Sequence, residues 1–441
     1  MKLKLVLAFV FSVFIYIIFN LNFWRDGKTL YWDKSGYYVY LPATFIYNDI
    51  GRLDFLDSLN PKYRLTGKYN DYGLFEQPTG KRLNKYSIGL SFFQLPFFAI
   101  GHLITVTWNE YPADGYSPYY MLLICISTAF WTIMGLWVLG KFLRRHVSTA
   151  ITISILLLLA FGTNLYTYSS FDTGMSHTCS FFLMACVLNL TDNWYRSERK
   201  KWVVLLGFVF GWIFLVRPVN IICLLIPLLW QTETERLGNR PSFFFKNRSG
   251  IALAGVLGIG VAFIQLAYWK YVTGNWLTYS YQGEYFNFVQ PYILDGLFSY
   301  RKGWFVYTPL ALIASLGFFF RKRKYTSVLP ALLSTMCVAV YVVFSWECWY
   351  YGGSFGCRAL IEFLAVMAYP LAVFIEYCSS KGNLAKITLS SVLVAMLLVN
   401  IWQTYQFHKG VIRYDNMTGA YYWRVFFKTS YTPADEALLD E

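Results

Sequence analysis

Long apolar runs separated by short polar breaks repeat along the whole chain. Runs at 3–22, 117–140, 149–165, 249–269 and 387–402 carry almost no charge. Most reach the roughly 20 residues a helix needs to cross hydrocarbon. A helix satisfies its own backbone hydrogen bonds in lipid, so these runs predict helices. Taken with the weaker runs, the pattern predicts spans at 3–22, 117–141, 147–165, 175–193, 202–216, 218–231, 249–271, 304–320, 327–345, 359–378 and 387–403. The expected fold class is an all-α polytopic membrane protein with about eleven transmembrane helices. The opening Met-Lys-Leu-Lys is signal-like, but no small-residue cleavage site follows its long apolar run, which predicts an uncleaved first span.

Composition agrees with this pattern. With 56% hydrophobic and only 14% charged residues, the 441-residue chain has too little polar surface for a soluble globule. Its net charge of +14 would suggest a nucleic-acid partner in a soluble protein. Here the basic residues sit in short loops, so membrane topology accounts for them and no nucleic acid is expected.

The clusters are Lys2/Lys4, Lys141/Arg144/Arg145, Arg196/Arg199/Lys200/Lys201, Arg236/Arg240/Lys246/Arg248, Arg321 to Lys324, and Lys381/Lys386. All are expected on the cytoplasmic side, which requires two crossings between consecutive clusters. Only the stretch from Lys4 to Lys141 breaks the rule, because it holds a third apolar segment. That segment, 87–107, is expected to lie along the outer surface: Pro96 and Gly101 interrupt it, and Lys81, Arg82 and Lys85 precede it. Within 202–231, Arg217-Pro218 predicts a tight turn between two short spans, with Arg217 at the outer headgroup level. A single kinked span there would move every later loop to the other side. The resulting layout is a membrane domain over 1–403 with an outer loop at 23–116, a cytoplasmic N-terminus, and an outward, solvated tail over 404–441.

Four outward segments then carry the unusual polar residues: 23–116, 166–176, 272–303 and 345–358. The first opens Tyr31-Trp32-Asp33-Lys34-Ser35-Gly36-Tyr37-Tyr38. A carboxylate among aromatics just past a span suits a general base or a metal ligand, and equally suits a helix N-cap. Asp172 and His177 begin the span at 175–193 and can meet Asp33 across the mouth of the bundle; a helix cap and a structural histidine are the alternatives. Glu284, Arg301 and Lys302 fall in the third segment, and Arg217 and Arg358 are further outer cations. Four cations with few acids nearby suit an anionic ligand such as a phosphate, and equally suit lipid headgroups. Trp346 and Trp349 stand in a glycine-rich aromatic loop able to stack on a sugar or an isoprenoid, or to anchor in the interface. Of eight cysteines, only Cys348 and Cys357 share a loop and so make a candidate disulfide. No phosphate-binding glycine loop, zinc spacing, nucleophile elbow or internal repeat is present in the sequence.

The arrangement resembles the GT-C superfamily of membrane glycosyltransferases, which includes protein O-mannosyltransferases and lipid A aminoarabinose transferases. The resemblance rests on Asp33 just after the first span, on the surface helix expected at 87–107, on Asn84 to Pro96 leading into that helix, and on Arg217-Pro218 within Gly211 to Asn220. It implies transfer of a sugar from a polyprenyl-phosphate donor to a lipid, glycan or protein acceptor on the outer face of an inner or plasma membrane. Asp33, with Asp172, would be catalytic. Arg217, Arg301, Lys302 and Arg358 would hold the donor phosphate, and Tyr37, Tyr38, His177, Glu284, Trp346 and Trp349 would contact sugar or lipid. The family's second acidic residue after the first span is missing here, which leaves a divalent metal cofactor undecided. A transporter or flippase for an anionic lipid-linked sugar, and a non-catalytic assembly partner, are the competing classes; neither mid-membrane charges nor paired interrupted helices speak for a transporter.

Overall fold

A computed structural model describes residues 1–25, 27, 29–65, 73–231, 237–320 and 327–440. Arg236 and the cluster from Arg321 to Lys324 lie outside the described residues. Helices dominate, and the described residues hold a single two-stranded hairpin, β1 (Leu74–Glu76) and β2 (Arg82–Asn84).

Each of the eleven stretches expected to span is helical. In order, the main helices are α1 (Lys2–Leu21), α2 (Asp33–Tyr38), α3 (Gly89–Trp108), α4 (Pro118–Leu143), α5 (Thr149–Phe161), α6 (His177–Ser197), α7 (Lys200–Val216), α8 (Arg248–Thr273), α9 (Pro309–Leu316), α10 (Leu329–Phe344), α11 (Leu364–Ser379) and α12 (Asn383–His408). Between α7 and α8 the segment 218–229 coils as a 3₁₀ turn running into a short α-helix. By length and composition, α1, α3, α4, α8 and α12 can each cross a membrane. α6 has 21 residues but is more polar, and the rest are shorter: the 13 residues of α5 rise about 20 Å, against the roughly 30 Å of hydrocarbon. A second helix, Leu165–Ser170, follows α5 after Gly162 and extends its reach.

α1 runs antiparallel to α4: Leu3 packs on Gly140, while Thr29, just past α1, reaches Cys125. The Gly140 end also gathers Arg145 and Arg196 around the buried Asp192. The segment 87–107 forms the unbroken helix α3, because Pro96 falls within it without ending it. α3 lies beside the N-terminal half of α4, from Trp108 on Tyr119 to Phe93 on Trp131, with ring centroids 5.4 and 5.0 Å apart. The backbones touch at Gly101, where a Cβ would sit 3.3 Å from the Tyr120 Cα. These contacts stay at the end of α4 remote from Gly140.

α7 and α8 approach through small residues spaced four apart, Gly207 and Gly211 against Ala254 and Gly258. A Cβ on Gly207 would lie 2.3 Å from the Ala254 carbonyl oxygen, so any side chain there forces the helices apart.

The C-terminal segment departs from the solvated tail expected of it. It folds back as α13 (Gly419–Val425) and α14 (Pro433–Glu436), burying Val411, Ile412, Tyr421 and Val425. Its apolar residues share one inner face, a pattern hidden in the sequence by the basic and aromatic residues between them. Asp435 is fully buried, and its carboxylate accepts from Arg424, Lys428 and Thr432, which satisfies a charge that burial would otherwise make costly.

Candidate active site

The end of the bundle remote from Gly140 encloses a cavity of about 360 Å³. Asp33, Tyr37, Tyr86, His177, Arg217, Tyr281, Glu284, Trp346 and Arg358 all line it, so segments far apart in sequence converge there.

Asp33 is the first residue of α2, and Trp32 before it takes a positive φ of 54°, which bulky residues rarely adopt. Trp32, not Asp33, occupies the cap position, and no side chain caps this helix. The Asp33 carboxylate is held from two sides. Its Oδ1 accepts from the Tyr86 hydroxyl at 2.5 Å, and its Oδ2 accepts from Arg358 Nη2 at 2.5 Å. Tyr86 is itself fixed: its N–H donates to Asn84 Oδ1, its carbonyl accepts from the Tyr40 hydroxyl, and Asn84 Nδ2 donates to the Gly36 carbonyl. The Tyr86 ring lies so close to Gly36 that a Cβ there would be 2.1 Å from Cδ2, so only glycine fits. Burial lowers the proton affinity of Arg358, but the neighbouring Asp33 outweighs it and raises the pKa above the ordinary guanidinium value. The side chain is therefore a permanent cation.

A second group stands behind the first. Arg217 ends α7 in extended backbone, as the following Pro218 requires. Its Nη1 lies 2.6 Å from His177 Nδ1 and 3.5 Å from Glu362 Oε1. Glu362 has no exposed surface; its Oε2 is 3.0 Å from His177 Nδ1, and its Oε1 accepts from Asn220. One ring nitrogen cannot both accept from the guanidinium and donate to the carboxylate, so this cluster has alternative proton arrangements.

The third pair is Lys85 with Glu284, beneath a wall where Trp346 meets Tyr281 and Phe286 edge-on, with centroids 5.4 and 4.6 Å apart. Burial pushes the Tyr37 and Tyr281 phenols above their ordinary values, so both offer hydroxyl groups.

The remaining expected site residues lie elsewhere. Asp172 is ion-paired with the buried Lys34 and is absent from the cavity lining. Tyr38 is fully buried, donating to the Gly115 carbonyl and packed on Tyr116. Trp349 stacks against Tyr292 outside the lining. Arg301 binds Asp415 through two bonds of 2.8 and 3.3 Å, and Lys302 is buried against the carbonyls of Ser354 and Tyr414. The four free cations expected of the sequence are therefore two at the cavity, each beside a carboxylate. Cys348 lines the cavity, Cys357 is buried away from it, and both thiols are free. Glu362, Tyr86, Lys85 and Tyr281 were not foreseen. For Glu362 the signal was present, since an acid inside an apolar span marks a site by default.

The donor set does not suit a divalent metal. Among the described residues no three of His, Cys, Asp and Glu come together, and both Asp33 oxygens already accept from a phenol and a guanidinium.

Neither a family model nor a curated protein matches the chain. Among solved structures it is similar to the Archaeoglobus fulgidus oligosaccharyltransferase in its apo form, with a TM-score of 0.51 and 12% identity over 99% of this chain. ArnT from Cupriavidus metallidurans in the apo state gives 0.48 and 12% over 92%. The chain spans 59% and 65% of those two proteins' lengths, respectively. The chain shares the fold of that oligosaccharyltransferase over almost its whole length. At this identity the likeness is one of fold, and a fold hosts many functions. What that fold does in this chain has to be read from the cavity.

Proposed function

We propose that this protein is a membrane glycosyltransferase that moves a sugar from a polyprenyl-phosphate donor to an acceptor hydroxyl on the outer face of an inner or plasma membrane. The observation that carries the reading is a carboxylate, Asp33, held in an aromatic-walled cavity by Arg358, with Arg217 beside it. In this orientation the cavity faces outward, α3 rests at the outer interface, and the acceptor is a lipid, a glycan or a protein.

Every cavity cation already has a carboxylate partner: Arg358 with Asp33, Arg217 with Glu362, Lys85 with Glu284. A donor phosphate entering the cavity therefore competes for a cation already in use. When it takes Arg358, Asp33 loses a guanidinium and becomes a better proton acceptor. Asp33 then removes the proton of the acceptor hydroxyl, the oxygen bonds to the anomeric carbon, and the bond from that carbon to the phosphate oxygen breaks. The polyprenyl phosphate leaves, its growing charge held by Arg358 and Arg217 in a site screened from water. One displacement inverts the anomeric centre. The aromatic wall of Tyr281, Phe286 and Trp346 supports the sugar ring.

Membranes containing the protein, incubated with labelled polyprenyl-phosphate sugars, are expected to consume one of them and release the polyprenyl phosphate. Translocation of the lipid without consumption would contradict this reading and favour a flippase.

A further inference from the structure

Arg301 and Lys302 follow one another on the turn after residue 299, and both reach into the C-terminal segment. Lys302 is 1% exposed, and its ammonium donates to the carbonyl of Ser354 at 2.5 Å and to that of Tyr414. The Ser354 N–H donates to the same Tyr414 carbonyl at 3.0 Å. One buried cation thus joins the cavity loop 346–358 to the segment beginning at 411. Arg301 grips the adjacent Asp415 while stacking on Tyr350 of the loop, 3.6 Å from the ring centre. The loop lies flush against its partner: a Cβ on Gly353 would sit 3.0 Å from the Tyr414 ring. The loop turns through positive φ at Tyr351, Gly352 and Gly356, and it is tied to the bundle by the Tyr351 hydroxyl on the Val343 carbonyl and by Arg358 on Asp33. The C-terminal segment is pinned by the buried Asp435, by the Tyr421 hydroxyl on the Val411 carbonyl, and by the Asp440 N–H on the Asn416 carbonyl.

We propose that residues 411–440 are a strap that holds the loop 346–358 in place, and that Lys302 and Arg301 are the positioning residues that fasten it. That loop brings Cys348, Tyr351, Gly352 and Arg358 to the cavity. The fastening stands on geometry alone; its consequence for Arg358 rests on the function proposed above.

The test reads thiol labelling of the intact chain in detergent, site by site, by mass spectrometry. Cys348 reports the loop, and the buried Cys125 reports the fold. In Lys302→Met, Cys348 is expected to label about tenfold faster with Cys125 unchanged, as loss of two buried hydrogen bonds would produce. Asp415→Asn, which weakens the partly exposed Arg301 pair and leaves both Lys302 hydrogen bonds in place, is expected to give about a threefold rise. An unchanged Cys348 rate in both variants would overturn the strap. So would Cys125 rising in step with Cys348 in both, since Lys302 would then support the whole fold and not the loop. This readout does not need turnover, so an inactive wild-type protein counts against glycosyl transfer while the labelling still decides the strap.

Discussion

Arg358 and Lys302 begin as equals in the sequence, two cations flanking loops rich in glycine and aromatic residues, yet the structure gives them opposite surroundings. Arg358 lines the cavity and donates to a carboxylate, Asp33, that faces the same space. Lys302 is sealed against two carbonyls from which nothing can displace it without opening the fold. An outward cation is a ligand-binding candidate only when its present partner is exchangeable, and that is a property of packing, not of sequence.

Arg358→Gln sharpens the contrast most. It should lower donor turnover by about a hundredfold to a thousandfold, the cost of one preorganised donor to developing charge. Arg217→Gln should follow at about a hundredfold, read in the same assay, because its guanidinium is shared with Glu362 and His177. Tyr86→Phe removes one of the two bonds to Asp33 and should cost about tenfold in turnover.

The smallest effect belongs to the other cation. Burial pushes the Lys302 ammonium down to about 7, against the opposing pull of Asp415. Between about pH 7 and its ordinary value of 10.5, the unfolded chain holds a proton that the folded chain lacks, so this residue makes stability rise with pH across that window. Below it, the folded chain bears the cost of a buried charge. Melting temperatures of wild type and Lys302→Met should therefore diverge in slope between about pH 7 and pH 10, with the flatter curve in the variant.

Much of the helix placement was legible because the length of an apolar run constrains a helix directly. All eleven stretches expected to span are helical, and the Arg217-Pro218 turn falls where proline geometry demands. Asp33, Tyr37, His177, Glu284, Trp346, Arg217 and Arg358 also converge on one cavity. Partners were not legible. Lys34 neutralises Asp172, Asp415 takes Arg301, and Glu362 takes Arg217, each across more than a hundred positions of chain. Such long-range pairs leave no periodicity in the sequence. The C-terminal segment was misread for a related reason: Val411, Tyr421 and Val425 become an apolar face only once Asp435 is neutralised by Arg424 and Lys428.

The claim that matters most is that Asp33 acts on the acceptor in this cavity. Single-turnover transfer of a labelled sugar, followed in membranes carrying wild type or Asp33→Asn at equal expression, tests it directly. A fall of about a hundredfold to ten-thousandfold in Asp33→Asn, with donor binding retained, is the predicted result. Full transfer by Asp33→Asn would contradict it.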